Sequence, residues 1–428
     1  MVTKHKMKNT EIGFIPEDWD VKPLSDIGVF SKGFGITRDQ AHSGNIPCIR
    51  YGEIYTSHHN YIRQFYSHIS PEIANTATKL KTGDILFAGS GETKEEIGKA
   101  VAFVSSEEAY AGGDIIILSP KLQVSSQYLG FVLNNASSVK QKSSLGQGDA
   151  VVHIHAKELS GVLIPFPPYN EQHAIATVLS EIDTTILSLE QAITKKLLIK
   201  EGAMQQLLTG KVRLKGFKEP WVEKSMMEIG QTYNGITGKG KADFGHGNSR
   251  YITFLNILNN PSINLDELES VDIDPINDGQ NEVRKGDLFF NTSSETPEDV
   301  GTCSTLMHDV ENVYLNSFCF GFRLKDSEIS GLFMSYYFRS EIGRREMATI
   351  AQGATRYNLS KENFYKIIVR VPKTKEEQNA ITKVLATMDS EISALEAERD
   401  KYISIKQGMM QKLLTGQIRL PQSCLKEE

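Results

Sequence analysis

The chain has 428 residues, of which 39% are hydrophobic and 23% are charged, and its formal net charge is −6. This composition can form packed cores in about two to four domains, and it excludes a wholly disordered chain. No stretch approaches the ~18 uncharged apolar residues of a membrane-spanning helix, and Met1–Gly13 is basic and polar. We therefore expect neither a membrane segment nor a secretory signal. The acidic balance gives no overall support for nucleic-acid binding.

Cysteine and histidine positions give no sign of a metal site. The four cysteines are scattered, at Cys48, Cys303, Cys319 and Cys424, and none belongs to a CxxC pair. The pattern predicts neither a zinc site nor a disulfide framework, and it favours a reducing, cytoplasmic location. His153 and His155 alternate on a predicted strand. We expect one to face inward and the other outward, which suits a metal poorly.

Short segments of strand and helix character occur in both halves of the chain, between frequent Gly, Asn and Ser turns. The predicted strands are Asp84–Ala88, Ala100–Val104, Asp114–Leu118, Val162–Pro165, Asp287–Asn291, Cys319–Leu324 and Ile367–Val371. The predicted short helices are Ser125–Asn134 and Gly331–Phe338. This pattern is typical of mixed α/β (α+β) domains, but it does not define the order of the strands.

The chain contains an internal duplication. Glu171–Leu214 aligns with Glu377–Leu420 at a shift of 206 positions, with 22 identities among 44 pairs. Shorter matches precede it in the same order in both halves, and they pair Trp19 with Trp221, Gly83-Asp84 with Gly286-Asp287, Glu92-Thr93 with Glu295-Thr296, and Gln147-Gly148 with Gln352-Gly353. The sequence therefore predicts two copies of one unit, each a variable globular part followed by a similar helix.

Both duplicated segments are predicted to be long helices. Their apolar residues recur at alternating steps of four and three, the spacing of a coiled-coil seam. The seam positions are Ile175, Leu179, Ile182, Ile186, Leu189, Ile193 and Leu197 in the first helix, and Ile381, Leu385, Met388, Ile392, Leu395 and Tyr402 in the second. We expect the two helices to pack on each other. The alternative is two ordinary amphipathic helices, each on its own domain.

Capping residues indicate where these helices begin and end. Asn170 is a candidate cap for the first helix, and Thr374 with Glu377 forms a capping-box pattern for the second. Gly210 and Gly416 are placed to end them. Both helices also contain an interior glycine at the same repeat position, Gly202 and Gly408. An interior glycine costs about 1 kcal/mol relative to alanine, so we expect a close approach of the helices there, with a tolerated kink as the alternative.

Two fragments resemble parts of an amino-methyltransferase, but their context argues against catalysis. Phe87–Gly91 matches the FxGxG loop that approaches S-adenosylmethionine, and Pro167-Pro168-Tyr169 matches the end of the Asn/Asp-Pro-Pro-Tyr motif. Phe166 precedes the prolines and cannot hydrogen-bond an amino group. The repeat partner of the first fragment, Phe290–Ser294, contains no glycine. We therefore expect no catalytic residue and no cofactor.

Taken together, these features resemble the specificity subunit (HsdS) of type I restriction–modification systems over almost the whole chain. The resemblance rests on the opening segment Ile12–Trp19, the strands at Gly83–Leu86 and Gly286–Leu288, the helix start at Pro168–Gln172, and the two Leu-Leu-Thr-Gly helix ends. The second copy departs from the pattern in its shorter opening segment, Gly216–Trp221, and in starting its helix at Thr374 rather than at a proline.

The resemblance implies a fold and a set of partners. It predicts two similar target recognition domains, residues 1–165 and 215–371, separated by two long antiparallel coiled-coil helices, residues 166–214 and 372–428, in an internal pseudo-twofold repeat. Each domain would recognise one half of a split, asymmetric site in double-stranded DNA. The helices would set the spacer and bind two methyltransferase subunits, and restriction subunits would complete the complex. The specificity subunit itself would catalyse nothing.

DNA contacts are expected from polar and basic residues in the turn-rich segments, because arginine pairs with guanine and asparagine with adenine. The candidates in the first domain are Lys32, Arg38, Arg50, Tyr51, Ser90, Thr93 and Lys94. The candidates in the second domain are Lys239, Lys241, Arg250, Asn291, Thr292, Ser293, Arg356 and Tyr357. Candidate phosphate contacts are Lys140, Lys142, Arg344 and Arg345.

The charge of the domains limits how DNA can be held. Residues 1–165 contain 16 basic and 17 acidic residues, and residues 215–371 contain 17 and 22. Neither domain can bind DNA tightly through phosphate charge alone, so we expect the methyltransferase partners to supply much of the affinity. Two other functions stay open on sequence alone. One is a DNA adenine methyltransferase, and the other is a coiled-coil adaptor that binds only protein.

Overall fold

The computed structural model describes residues 6–353 and 355–421, so Cys424 lies outside the described residues. The chain divides into two compact units. Unit 1 contains the residues up to Leu189 together with those from Glu398 onward, and unit 2 contains Glu190–Ala397. Within the described ranges, no helix combines the length and the apolar character that a membrane crossing requires.

Unit 1 is a mixed α/β unit built on two sheets. Its strands are β1 Met7–Thr10, β2 Gly13–Pro16, β3 Asp20–Pro23, β4 Gly28–Lys32, β5 Ile46–Ile49, β6 Asn60–Tyr61, β7 Ser67–Ile69, β8 Thr78–Lys79, β9 Ile85–Ala88, β10 Ser90–Gly91, β11 Ala100–Ala102, β12 Tyr110–Ala111, β13 Ile115–Pro120, β14 Val152–His153 and β15 Leu163–Phe166. Its helices are α1 Leu24–Ile27, α2 Tyr51–Thr56, α3 Pro71–Ala74, α4 Ser126–Val132, α5 Ala136–Leu145, α6 Ala156–Ser160 and the first part of α7 Tyr169–Leu207. The larger sheet has the order β4-β13-β9-β11-β6, and the smaller has the order β7-β5-β12-β8.

Unit 2 repeats the larger sheet with one strand fewer. Its strands are β16 Val222–Ser225, β17 Gly230–Asn234, β18 Phe244–Ile252, β19 Glu269–Val271, β20 Leu288–Asn291, β21 Ser293–Ser294, β22 Cys303–Thr305, β23 Val313–Leu315, β24 Cys319–Leu324, β25 Ala351–Gln352, β26 Tyr357–Leu359 and β27 Ile368–Val371. Its helices are α8 Met226–Ile229, α9 Phe254–Asn259, α10 Gly331–Arg339, α11 Glu341–Ile350, α12 Lys361–Tyr365 and the first part of α13 Lys375–Leu413, with short 3-10 turns at Lys241–Asp243 and Leu265–Glu267. Its larger sheets have the orders β17-β24-β20-β22, β19-β18-β23 and β21-β26-β25, and β16 pairs with β27 in a two-stranded sheet.

The predicted strands and short helices are confirmed, with ends that shift by a few residues. The central strands β9 and β20 are buried at every position, as expected for short, continuous apolar runs. Both follow the duplicated Gly-Asp turn. The carboxylate of Asp84 accepts the backbone N–H of Lys81 at 2.8 Å, and that of Asp287 accepts the N–H of Arg284 at 2.9 Å. The turn therefore explains why this dipeptide occurs in both halves.

The two long helices, α7 and α13, are confirmed, with 39 residues each. At 1.5 Å per residue, each is about 58 Å long. Each begins in one unit and ends in the other. In unit 1, Ile175 and Leu179 near the start of α7 share a hydrophobic cluster with Leu413 near the end of α13. In unit 2, Ile381 near the start of α13 shares a cluster with Leu207 near the end of α7.

Burial along the seam is uneven. The buried seam residues are Ile175, Leu179, Ile193, Ile381, Leu385 and Ile392, and the half-buried ones are Ile182, Ile186, Leu189, Met388, Leu395 and Tyr402. The prediction for Leu197 is wrong, because this side chain is 47% exposed. Packing is strongest at the helix starts, where the domain core and the end of the other helix cover the same face.

The predicted cap Asn170 is wrong, and the C-terminal glycines are confirmed. Helix α13 does begin directly after Thr374, as predicted, but the capping-box bond from Glu377 is not formed. Helix α7 begins at Tyr169, so Asn170 lies inside it. Glu377 makes a tertiary ion pair instead of turning back to Thr374. Gly210 and Gly416 have φ angles of +70° and +66°, the left-handed conformation that ends many helices.

Each unit contains a buried glutamate at the start of a long helix, and side chains from distant parts of the chain hydrogen-bond to it. In unit 1, Glu171 is 3% exposed. Its carboxylate accepts two hydrogen bonds from Arg419, at 2.7 and 2.5 Å, and one from the Trp19 indole N–H at 3.0 Å. Arg419 follows the end of α13, so this helix-start clamp ties the beginning of one long helix to the segment that leaves the other.

Unit 2 contains the same clamp. Glu377 accepts two hydrogen bonds from Arg213, at 2.5 and 2.6 Å, and one from the Trp221 indole N–H at 3.4 Å. Trp221 also limits the helix end, because a Cβ on Gly210 would lie 3.2 Å from its ring. The duplicated glutamate, arginine and tryptophan positions thus form the same clamp, once in each unit.

The expected close approach at the interior glycines is wrong. A Cβ on Gly202 or on Gly408 would meet no atom of the described residues within 4 Å. Neither glycine is required by packing, and the tolerated interior glycine is the better interpretation.

Candidate nucleic-acid interface

In unit 1, the central strand ends in a small cavity. Strand β9 leads through Gly89 into β10, which pairs with β14 so that Ser90 lies opposite His153. The Ser90 hydroxyl and His153 Nδ1 are 3.0 Å apart. The cavity has a volume of about 380 Å³, and Lys32 and Asp114 also line it. The end of β4, the loop after β9 and the hairpin before α6 thus converge on one polar surface.

Most candidates of the first domain are accessible. Those with exposed side chains are Lys32, Arg38, Tyr51, Thr93 and Lys94. Arg50 is half-buried, and its guanidinium lies 3.3 Å from the Ser67 hydroxyl and 3.4 Å from Glu53. These contacts hold the Arg50 side chain against the start of α2, so its guanidinium is less free to contact DNA than the exposed candidates are. Ser90 is buried at the cavity, and the structure brings it together with Lys32.

The expectation for the two histidines is wrong. His153 and His155 are both exposed, and both line the cavity beside Ser90. Residues two apart on an extended chain face the same side, so alternation places both on one face. His153 is therefore a polar group of the candidate surface that sequence reasoning missed. The Gln147-Gly148 match was the available signal, because Gln147 and His153 form the paired ends of this hairpin.

In unit 2, four candidates gather around the corresponding strand end. Strand β21 pairs with β26, which places Ser293 opposite Asn358 and Ser294 opposite Tyr357. The Thr292 hydroxyl donates to the Phe318 carbonyl at 2.8 Å, and Arg356 is exposed next to Tyr357. The structure thus brings together two adjacent pairs, Thr292-Ser293 and Arg356-Tyr357, that lie more than 60 positions apart in sequence.

Asn291 is excluded as a base contact. Its side chain is fully buried. Its amide group donates to the carbonyls of Ser293 and Asp299, and its carbonyl accepts the N–H of Thr302 at 2.6 Å. Both amide hydrogens and the carbonyl are engaged within the loop, and the side chain is not accessible to a base. Its burial follows from its place at the end of the central strand β20.

The basic candidates near β18 lie around a different part of unit 2. Lys239 forms an ion pair of 2.7 Å with Asp278. Arg250 is exposed and donates to the Leu268 carbonyl at 2.9 Å. Lys241 is exposed. These residues present positive charge, but no contact in the described structure joins them to the group around Thr292.

The two units differ chemically at an equivalent position. The Gly89 N–H donates to the Asp114 carbonyl at 2.8 Å, and the Thr292 N–H donates to the Phe318 carbonyl at 3.1 Å. Asp114 is acidic, whereas Phe318 is an aromatic side chain that is 60% exposed. Sequence reasoning missed both residues, because only the backbone pairing identifies them as counterparts. The same scaffold therefore presents different groups at its two candidate surfaces.

Two of the candidate phosphate contacts are wrong, because their charges point into the protein. Lys142 is 1% exposed, and its Nζ donates to the Gly98 carbonyl at 2.6 Å. Arg344 donates to the Glu298 carbonyl at 3.0 and 2.8 Å, and to the Val300 carbonyl. Each cation holds the loop that follows the central strand of its unit. Lys140 and Arg345 remain exposed.

Burial of Lys142 predicts a pH-dependent stability. Desolvation lowers the pKa of this ammonium group to about 7, whereas an unfolded lysine titrates near 10.4. Between these values the unfolded chain binds more protons than the folded chain, so stability rises with pH at about 1.4 kcal/mol per unit. We expect the stability of the wild type relative to Lys142→Met to increase by roughly 2–3 kcal/mol from pH 7 to pH 9.

Urea unfolding at pH 7, 8 and 9 measures this difference. Lys140→Met, in the same helix but exposed, is the matched control, and its effect should not vary with pH. A constant difference between the wild type and Lys142→Met over this range would show that Lys142 is not neutralised on folding.

Two of the buried cysteines have unreactive thiols, and the described residues contain no cluster of metal ligands. Burial raises the pKa values of the Cys48 and Cys319 thiols to about 12, which keeps them protonated and unreactive. Between residues 6 and 421, leaving aside residue 354, no three His, Cys, Asp or Glu side chains are grouped to hold a metal ion.

Comparison with known proteins identifies the family. The family model for the type I restriction modification DNA specificity domain matches twice, at residues 16–198 and 218–404. A Methanocaldococcus jannaschii protein, provisionally described as the MjaX specificity subunit of a type I restriction enzyme, is 27% identical over 97% of both chains. The EcoKI specificity subunit of Escherichia coli is 23% identical, over 87% of this chain and 82% of its own.

A solved structure supports the fold. The crystal structure of the S subunit of a type I restriction-modification system from M. genitalium superposes with a TM-score of 0.59 at 16% identity, over 96% of this chain and 99% of that one. Two matches to one domain model, in the same halves that carry the duplicated clamps, account for the two similar α/β units. The chain belongs to the type I restriction modification DNA specificity family, as a non-catalytic specificity subunit.

Proposed function

We propose that this subunit recognises a bipartite, asymmetric DNA site, with one half-site bound by residues 1–165 and the other by residues 215–371. The observation that carries the proposal is a duplicated scaffold with divergent surfaces. The clamp residues Glu171 and Glu377 are equivalent in sequence and in contacts, whereas Asp114 and Phe318 differ at equivalent exposed positions. A shared frame with different surface groups suits the recognition of two different base sequences.

The base contacts come from the surfaces around the two central strands. In the first domain they involve Lys32, Ser90, Thr93 and Lys94, together with His153. In the second they involve Thr292, Ser293, Arg356 and Tyr357, together with Phe318, which can contact a thymine methyl group. The remaining candidates supply contacts to the DNA phosphate backbone or at the edge of the interface. Four of them are exposed, namely Arg38, Tyr51, Lys241 and Arg250, and Lys239 is half-buried.

The long helices α7 and α13 form an antiparallel coiled coil with pseudo-twofold symmetry, and this pair sets the spacer between the half-sites. DNA-binding elements that serve two half-sites are commonly spaced by one helical turn, about 34–36 Å, and a 39-residue helix is long enough to span that distance. The helices and the adjoining faces of the domains also bind two methyltransferase subunits, and restriction subunits join that complex. These partners supply most of the phosphate contacts, because each domain carries more acidic than basic residues.

Exchange of one domain tests this function. Replacing residues 1–165 by the corresponding domain of another family member should change one half-site and leave the other half-site and the spacer unchanged. Sequencing of the sites modified by the subunit in complex with its methyltransferase partner gives the answer. A change in both half-sites, or in neither, would contradict two independent domains. Absence of any sequence-specific footprint would favour the alternative of an adaptor that binds only protein.

A further inference from the structure

Each long helix carries the same two opposite charges at matching repeat positions. Asp183 and Lys200 lie in α7, Asp389 and Lys406 lie in α13, and 17 positions separate the two charges in each helix. A step of 17 residues along a helix is about 25 Å. The aspartate and the lysine of one helix therefore cannot pair with each other.

In unit 1, Asp183 of α7 meets Lys406 of α13. Lys406 Nζ lies 2.5 Å from one carboxylate oxygen of Asp183, which is 7% exposed. The guanidinium of Arg63, from the globular part, lies 3.1 Å from the other oxygen, as an ion pair without the geometry of a hydrogen bond. Lys406 Nζ also lies 6.0 Å from the centre of the Phe131 ring in α4.

In unit 2, Asp389 of α13 meets Lys200 of α7 in the reciprocal ion pair. The donor from the globular part is here the Tyr336 hydroxyl of α10, which bonds Asp389 at 2.6 Å. Lys200 Nζ lies 6.0 Å from the centre of the same tyrosine ring. Each unit thus contains a three-way junction of an aspartate, a lysine from the other long helix and a polar side chain from its own globular part.

The two three-way junctions differ in the residue from the globular part that contacts the aspartate. Phe131 and Tyr336 provide the ring beneath the lysine in the two units, and they lie in the corresponding helices α4 and α10. Tyr336 offers a hydroxyl to the aspartate, which a phenylalanine cannot do. In unit 1, Arg63, two residues after β6, instead supplies a second cation to the aspartate. The same three-way contact is therefore present in both units although its third member has changed.

These contacts favour one register of the two helices. A shift of one helix by a single turn would move Lys406 about 5.4 Å along α7 and leave a buried carboxylate without its cation. A buried charge that loses its partner is strongly destabilising, whereas most apolar seam contacts can re-form after a one-turn shift. The contacts of Arg63 and Tyr336 with these aspartates at the same time hold the globular part against the helix pair within each unit.

We propose that Asp183 and Asp389 determine spacer specificity, because they fix the register of the two long helices and thereby the length of DNA left between the half-sites. This inference rests on the proposed function, since it assigns the spacer to a particular pair of contacts. It goes beyond a general role of the helices, because it separates the residues that set the register from those that only add packing.

The test uses the full chain in complex with its methyltransferase subunits. The substrate is a DNA library in which the two half-sites are constant and the spacer varies in length. We expect Asp389→Asn to reduce the preference for the correct spacer over its neighbours by about tenfold, because hydrogen bonds to charged groups are among the stronger ones. Lys200→Gln should have a similar effect. The exchange Lys200→Asp with Asp389→Lys should restore part of the preference.

A matched control lies on the same two helices in the same unit. Lys196 and Glu391 also form an ion pair, but their side chains are 43% and 47% exposed, and surface pairs contribute little. Lys196→Gln should therefore leave the spacer preference within about twofold of the wild type. If Asp389→Asn does not fold, Lys200→Gln decides the question, because it leaves only a partly accessible carboxylate without its cation.

The outcomes separate the two proposals. A spacer preference that is unchanged in folded Asp389→Asn and in Lys200→Gln overturns the role of the junction and leaves the bipartite recognition intact. An equal loss in Lys196→Gln also overturns it, because general weakening of the helix pair would then explain the effect. A wild-type complex that modifies no split site overturns the proposed function itself.

Discussion

Inserting four residues after Leu197 together with four after Ile403 should lengthen the recognised spacer by about one or two base pairs, with both half-sites unchanged. The two positions are equivalent in the repeat, and each lies between the aspartate and the lysine of its own helix. The double insertion extends both helices by about 6 Å and lets Asp183–Lys406 and Lys200–Asp389 re-form. A base pair occupies about 3.4 Å.

The inserted residues also rotate one part of each helix relative to the other, and this rotation affects how many base pairs are added. Four residues exceed one turn of 3.6 residues by about 40°, and one base pair turns DNA by about 34–36°. The axial extension thus favours two added base pairs, while the rotation favours one. The sequence of the modified sites, read from DNA exposed to the variant complex, shows which of the two dominates.

A single insertion, after Leu197 alone, provides the control. It lengthens only α7, so the two ion-pair junctions cannot both form with straight helices. We expect this variant to lose most of its activity or to expel the four residues as a loop and retain the original spacer. Full activity of the double insertion with the original spacer would show that the helix pair does not determine the spacing.

The duplication made much of the scaffold predictable. Glu171 and Glu377, the arginines that bind them and the two tryptophans all occur at repeated positions, and each proved to belong to a clamp. Periodicity located both long helices within a few residues. Comparison of the two repeats also shows that Asp183 and Asp389 are equivalent. Their pairing with a lysine of the other helix, however, depends on the fold and could not be predicted.

The candidate surface was less predictable, because residue type does not reveal burial. Asn291 and Lys142 are both polar, yet Asn291 is buried at the end of a central strand and the buried ammonium of Lys142 donates to the Gly98 carbonyl. Leu197 fits the seam spacing, yet its side chain is 47% exposed. His153 belongs to the surface because its strand pairs with the strand of Ser90, a residue 63 positions away in sequence.

Arg419→Met is expected to destabilise unit 1 by about 3–5 kcal/mol, the cost of leaving a buried charge without its partner. Glu171 would keep only the Trp19 N–H as a donor, at a position where water has little access. The same carboxylate lies at the start of α7, so its loss of pairing also weakens the contact between that helix start and the segment after α13. Arg213→Met should act in the same way on Glu377 in unit 2.

The neighbouring pair of Arg419 with Asp18 distinguishes this cost from a general loss of surface charge. Asp18 is 55% exposed and accepts two hydrogen bonds from the same guanidinium, so Asp18→Asn should cost at most about 1 kcal/mol. Adding Glu171→Gln to Arg419→Met removes the buried charge and should recover part of the stability. Chemical denaturation of the four variants, followed by the fluorescence of Trp19 and Trp221, measures these differences. An Arg419→Met variant no less stable than Asp18→Asn would mean that the clamp does not hold the helix start in place.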